Sequence, residues 1–174
     1  KQQPDKVREV LDKVKADGLV STMEAVSAKL GEPIALGYSN AGVVIGSASP
    51  DFKVGDRVIS NGNHAEVVKV SSMLCAKIPA NVQDSVATFT VVASIGLQSV
   101  RLFNPTLGEK VVVIGLGLVG LLTVQILIAN GCSVIGIDTS AERCRLAESF
   151  GAETVLGGPD SGAKASAFLS PDGA

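Results

Sequence analysis

Apolar residues recur along this chain first at helical spacing, then at strand spacing, and finally in long runs. Val7, Val10, Leu11 and Val14 fall on one face of a segment spanning residues 5–17, with charges between them. That spacing predicts an amphipathic helix stopped by Gly18. A second short helix is predicted after Ser21, where Glu24 completes a capping box, and it ends before Gly31. From Gly37 the rhythm shortens to strands and turns. Strands are expected at 41–45, 65–70 and 74–78, with turns at Ser49-Pro50-Asp51 and at Val54-Gly55-Asp56, the latter leading through Arg57-Val58 into another strand. Beyond Asp84, residues 86–102 are mostly apolar and predict a buried helix ending near Asn104-Pro105.

The longest apolar runs follow. Residues 110–114 form a nearly unbroken β-branched stretch, as expected of a strand buried on both faces. A helix is predicted over 118–129, closed by Asn130-Gly131. A second buried strand covers 133–137 and ends in Asp138, and a second helix covers 141–150 up to Gly151. Strand, helix, strand, helix at this pitch implies a parallel pair joined by a right-handed crossover. The tail over 157–174 is rich in Gly, Ser and Ala and reads as loop plus a weak helix. Residues 111–129 carry no charge and match a bilayer core in length. Gly115 and Gly117 interrupt the run, however, and it has neither aromatic anchors nor a Lys/Arg-rich flank, so a membrane span is set aside.

Composition narrows the partners. Apolar residues make up 46% of the chain and aromatic ones only 3%, so the core must be aliphatic, as in layered α/β folds. The net charge of −2 and the lack of a basic block disfavour nucleic acid and anionic membranes. Cys75, Cys132 and Cys144 are widely spaced and odd in number, which fits a reducing cytosol better than a disulfide framework. No apolar signal region opens the chain, and the start at Lys1 rather than Met suggests a segment of a longer protein, although processing would look the same.

Gly115-Leu116-Gly117-Leu118-Val119-Gly120 fits G-x-G-x-x-G, between a predicted strand and a predicted helix. Gly115 permits a tight turn, Gly117 lets backbone approach a diphosphate, and Gly120 lets helix and strand pack closely. The helix N-terminus, with Leu118 and Val119, offers N–H groups and a partial positive charge. Asp138, about 20 residues on, stands where an acid would hold ribose hydroxyls. Its charge would repel a 2′-phosphate, favouring NAD over NADP. Asp138 capping the next helix is the plainer alternative. Arg143, one turn into that helix, is either beside the adenosine or simply solvated.

With this turn in place, the chain resembles the medium-chain dehydrogenase/reductase family, which includes the zinc alcohol dehydrogenases. The matching segments are Leu36-Gly37, Ala41-Gly42-Val43-Val44, Lys53-Val54-Gly55-Asp56-Arg57-Val58, Ala65-Glu66-Val67-Val68 and Lys77-Ile78-Pro79. The N-terminal helices look like those of bacterial threonine-dehydrogenase-like or bi-domain oxidoreductases. The resemblance implies an N-terminal helical segment over 1–35, a partial GroES-like β-barrel catalytic domain over 36–90, and the first half of a Rossmann NAD-binding domain over 91–174. Substrate would lie in the cleft between barrel and coenzyme domain. Family precedent implies a homo-oligomer, and the cysteine usage a cytoplasmic location.

Departures from the family pattern bear on the metal. Where zinc-dependent members carry Gly-His-Glu, this chain has Gly37-Tyr38-Ser39; where they carry a cysteine ligand, it has Val91. The four-cysteine lobe is missing between Val58 and Ala65. A catalytic zinc needs about three protein ligands, so no metal is expected. Tyr38 then becomes the candidate for polarising a carbonyl, against a structural tyrosine lining the cleft. His64 reads as packing, and Ser94 and Ile95 fall near the nicotinamide by position in the family pattern; no catalytic residue is assigned.

Two functions follow as expectations. One is an NAD-dependent, zinc-free oxidoreductase acting on an alcohol, polyol or sugar hydroxyl of a small molecule. The other is a dinucleotide-binding sensor or scaffold that has lost turnover. A complete dinucleotide site needs two βαβαβ halves, so these 174 residues alone are expected to be inactive.

Overall fold

The computed structural model describes residues 4–31 and 35–170. Two compact units emerge, Lys1–Leu36 and Gly37–Ala174. In the first, α1 spans Pro4–Asp17 and α2 spans Leu19–Gly31. Gly18, at φ +84°, turns the chain in a single residue, so α2 begins two residues before Ser21. The predicted capping box therefore does not form. The Ser21 hydroxyl lies inside α2 and donates to the Asp17 carbonyl at 2.5 Å. Thr22 is buried and donates to the Gly18 carbonyl. Of the expected apolar stripe on α1, Leu11 is exposed and Val14 half-buried; the side chains of Val7 and Val10 lie outside the described residues.

The second unit opens with an antiparallel sheet in the order β1 (Asn40–Val43), β2 (Arg57–Ser60), β3 (Cys75–Lys77). Asn40 pairs with Ser60, and Ser60 with Cys75. The Lys-Val-Gly-Asp-Arg-Val element makes the turn into β2. Gly55 has φ +94°, Asp56 accepts the Lys53 N–H, and Arg57 reaches the Asp84 carboxylate and the Val82 carbonyl. The strand expected at 65–70 does not form. That stretch bends and turns, and β3 instead occupies the second edge of β2. The single helix expected over 86–102 is two, α3 (Asp84–Ala87) and α4 (Thr90–Phe103), and only Ala87, Gly96 and Val100 on them are buried.

The rest of this unit is a parallel sheet in the order β4 (Lys110–Ile114), β5 (Ser133–Asp138), β6 (Glu153–Leu156). Helix α5 (Leu118–Ala129) connects β4 to β5, α6 (Ala141–Ser149) connects β5 to β6, and α7 (Ser161–Leu169) follows. The core packs Val124 and Leu127 of α5 and Cys144 and Ala147 of α6 against Val134, with Val111 and Val113 at its margin. Strand β5, between two neighbours, is the buried strand that its sequence predicts. Strand β4 has β5 on one side only, so Lys110–Val113 are half-buried and Ile114 is 82% exposed. The pairing of β6 with β5 was not foreseen, and the weak helix of the tail is α7. Among the described residues no helix is long and apolar enough to cross a membrane.

Candidate functional site

The site is assembled where β4 gives way to α5. Gly115 adopts φ +90°, a region costly for any residue with a Cβ, and its N–H donates to the Ile137 carbonyl at 2.8 Å. The chain then dips inward. Leu116 is fully buried, with its methyls against Gly136 of β5; a Cβ on Gly136 would lie 2.8 Å from the nearer one. Gly117, the N-cap of α5, has no side-chain cap, and a Cβ there would meet nothing within 4 Å. A Cβ on Gly120 would lie 1.9 Å from the Gly115 carbonyl oxygen, so helix and turn touch backbone to backbone. The three glycines thus divide the labour: conformation at 115, open approach at 117, close packing at 120. Leu118 and Val119 stand partly exposed beside the opening.

Asp138 ends β5, and its carboxylate points into this turn. Oδ2 accepts the Leu116 N–H at 2.7 Å, and Oδ1 accepts the Ser140 N–H at 2.8 Å. Arg143 of α6 brings a guanidinium nitrogen to 3.6 Å from Oδ2. Only 6% of the Asp138 side chain is exposed. The Ser140 and Leu116 N–H groups, aided by Arg143, hold its carboxyl below the ordinary range. The two N–H donors occupy one lone pair on each oxygen, leaving acceptor capacity for further donors. Capping of α6 belongs to Ser140, whose hydroxyl accepts the Arg143 N–H. Gly157, which follows β6, joins this site although its sequence context marks it only as the start of a Gly-, Ser- and Ala-rich tail. Its N–H donates to the Asp138 carbonyl at 2.8 Å, so a third strand end reaches the same corner. The Gly157-Gly158 pair after Thr154-Val155-Leu156 was the available signal.

These residues fit a dinucleotide. An uncapped helix N-terminus offers N–H groups, the approach over Gly117 is clear, and an ionised carboxylate is fixed beside the turn. They do not fit zinc. Tyr38 and Val91 stand at the expected ligand positions, and among the described residues no three His, Cys, Asp or Glu side chains gather to hold a metal ion. Ser94 and Ile95 are exposed on α4, with the Ser94 hydroxyl turned back onto the Val91 carbonyl. Tyr38 and His64 are also exposed. A concavity lies away from the glycine turn, over β1 and the 65–70 loop, and is lined by residues such as Ala41, Val43, Val68 and Cys75. It carries none of the candidate chemistry.

Comparison with known proteins agrees with this geometry. A TrkA-N domain matches residues 111–162, the stretch that holds β4 to the start of α7. The D-guloside 3-dehydrogenase of Escherichia coli strain K12 is 35% identical over 115 residues, 64% of this chain and 33% of that protein. The crystal structure of galactitol-1-phosphate dehydrogenase from Escherichia coli superposes with a TM-score of 0.65 at 28% identity, over 72% of this chain and 47% of that one. Escherichia coli quinone oxidoreductase complexed with NADPH superposes with a TM-score of 0.60 at 25% identity, over 74% and 44%. The chain therefore spans between a third and a half of the length of these relatives. The resemblance to the medium-chain dehydrogenase/reductase family holds in sequence and in fold, and the architecture is a partial barrel-type sheet followed by the first half of a Rossmann sheet.

Proposed function

We propose that this chain is part of an NAD-dependent oxidoreductase of alcohol-dehydrogenase type, which moves hydride between a nicotinamide and the hydroxyl of an alcohol, polyol or sugar without zinc. The single observation that carries this reading is the turn over Gly117. It is open to solvent, heads an uncapped helix, and is bonded through Leu116 to an ionised Asp138. The diphosphate would lie against the N–H groups at the start of α5, around Gly117, Leu118, Val119 and Gly120. Gly115 shapes the turn. Leu116 anchors it from below, with its N–H already engaged by Asp138.

Asp138 would accept hydrogen bonds from the adenosine ribose hydroxyls, and Arg143 would flank the adenosine. The fixed negative charge of Asp138 disfavours a 2′-phosphate, which supports NAD over NADP even though two structural relatives were solved with NADPH. Residues 91–174 would serve as the first half of the coenzyme domain, residues 36–90 as part of the catalytic domain and 1–35 as a helical segment. The dehydrogenase names of the relatives weigh against a binding-only sensor. A cytoplasmic enzyme that works as a homo-oligomer on a small-molecule substrate completes the proposal.

The test is a fluorescence titration of the full-length protein with NADH and NADPH, alongside metal analysis. NADH should bind more tightly than NADPH, with no stoichiometric zinc. Failure of both nucleotides to bind would remove the oxidoreductase reading, and bound zinc would remove its metal-free part.

A further inference from the structure

The chain contains one tyrosine and one histidine, and the fold sets the histidine ring over Gly37, the residue before the tyrosine. Gly37 has φ +74°, and a Cβ there would fall 2.2 Å from His64 Nε2 and 2.4 Å from its Cε1. The imidazole therefore lies directly over Gly37. Consecutive Cα atoms are about 3.8 Å apart, so the ring is within roughly 8 Å of the Tyr38 Cα. His64 is held there by its loop. Asn40 Nδ2 donates to the Asn63 carbonyl at 3.0 Å, while Asn40 Oδ1 accepts the Ser60 hydroxyl at 2.6 Å. Both rings remain exposed, Tyr38 by 56%.

The fold also fixes which end of the unit this pair occupies. Helices α4 and α5 are joined at their C-terminal ends, where Asn130, the C-cap of α5, donates to the Pro105 carbonyl and Gly108 donates to the Gly131 carbonyl at 2.8 Å. They meet again where Gly96 touches Thr123. Two helices fastened at the same ends run parallel. Counting back at about 1.5 Å per residue, Thr90 lies roughly 9 Å before that contact and Leu118 roughly 7.5 Å, so the two N-termini are level. The Ser39 hydroxyl donates to the Thr88 carbonyl, just ahead of α4. Tyr38 is thereby tied to the end of the unit that carries the glycine turn.

We infer that Tyr38 and His64 are a coupled proton-handling pair for this metal-free site, an assignment that rests on the oxidoreductase reading above. In the reducing direction, the hydride for the carbonyl carbon would come from a reduced nicotinamide when bound; this chain's own residues handle the proton. The carbonyl π pair moves onto oxygen, and the Tyr38 phenol gives that oxygen its proton. His64 returns a proton to the phenolate and recovers one from solvent. Tyr38 is the group that touches substrate. His64 supplies Tyr38, and Asn40 positions His64.

Because each residue is unique, isotopically labelled tyrosine and histidine give one ring signal each in this chain, and the test is reciprocal. His64→Gln should shift the Tyr38 phenolic carbon, and Tyr38→Phe should shift the His64 ring nitrogens. Gly37→Ala, whose methyl displaces the imidazole without removing it, should shift both. Unchanged backbone amide signals from β5 and α6 verify folding in each variant. If either ring signal ignores replacement of the other residue, the pairing is overturned. Adding NADH should move the Leu118 and Val119 amides in the unsubstituted full-length protein. If it does not, the coenzyme reading falls instead, whatever the ring signals do.

Discussion

Alanine at two neighbouring glycines should separate folding from ligand binding. At Gly120 the new methyl would sit 1.9 Å from the Gly115 carbonyl oxygen, a backbone atom that no rotamer change can move. Real contacts of this kind do not fall below 3.0 Å, so α5 must retreat from the turn by more than an ångström. That helix carries Val124 and Leu127, both at the centre of the core. Overpacking of this kind costs about 1–3 kcal/mol. In a chain of this length each kcal/mol lowers Tm by about 2–4 °C, which gives a fall of roughly 2–12 °C. At Gly117 the backbone is ordinary, with φ −71°, and the methyl meets open space. Stability should change by no more than about 0.5 kcal/mol. The methyl would instead stand between the helix N-terminus and a diphosphate. Losing one charge-assisted hydrogen bond costs about 1.5–3 kcal/mol, or roughly 10- to 150-fold in Kd. Thermal melts followed by circular dichroism and NADH titrations by fluorescence measure the two effects. Native NADH affinity in Gly117→Ala, or an unchanged melt in Gly120→Ala, would refute the division of roles.

Three further outcomes follow from the same geometry. Asp138→Asn removes the charge that opposes a 2′-phosphate, so the NADPH-to-NADH preference, read from paired titrations, should rise about tenfold or more; an unchanged ratio would place the adenosine elsewhere. The Asp138 carboxyl is held below its ordinary value of 3.8 by the Ser140 and Leu116 N–H groups, and the Asp56 carboxyl by Lys77 and the Lys53 N–H. With folded values below unfolded ones, the stability they contribute is complete above about pH 4 and is lost as pH falls through the lower folded values. Acid melts should show this loss, and Asp138→Asn should flatten it. Gly96→Ala puts a methyl 2.4 Å from Thr123 Oγ1 and 3.3 Å from its Cα, which should cost about 1–3 kcal/mol. Adding Thr123→Ala should restore part of that loss, giving a coupling of about 0.5–3 kcal/mol in denaturant melts, whereas strict additivity would mean that the helices do not touch there.

Local chemistry explains which elements were legible in the sequence. The helices over 118–129 and 141–149 and the strand ending in Asp138 were read correctly because their stop signals, Asn130-Gly131 and Gly151, act within a residue or two. Both glycines adopt positive φ. Ser21 misled for a related reason. Its capping signature was real, but Gly18 at φ +84° had already restarted the helix at Leu19, leaving the hydroxyl inside it. The 65–70 stretch has strand-like alternation, yet a strand exists only with a partner. The second edge of β2 goes to the later Cys75–Lys77 segment, leaving Val67 exposed. Conversely, Glu153–Leu156 is too short for any period to register, and it becomes a strand because the free edge of β5 is beside it.

Glycine spacing and the acid about 20 residues further on made the candidate site visible, because the requirement for bare backbone next to a fixed charge is written in residue types. What joins the two was not visible. Leu116 occupies an unspecified position in the G-x-G-x-x-G pattern, yet its side chain fills the space that Gly136 leaves open on β5. Burying Leu116 in this way aims its N–H at Asp138. The carboxylate is therefore oriented by a core contact from the opposite strand, a relation of tertiary packing that no local window contains. The same holds for His64, which read as packing from its position in the family pattern. Its packing partner is Gly37, a residue whose lack of a side chain both permits φ +74° and admits the ring. In both cases a glycine on one segment makes room for a side chain from another, so the position of the chemistry depends on pairs of residues that sequence distance hides.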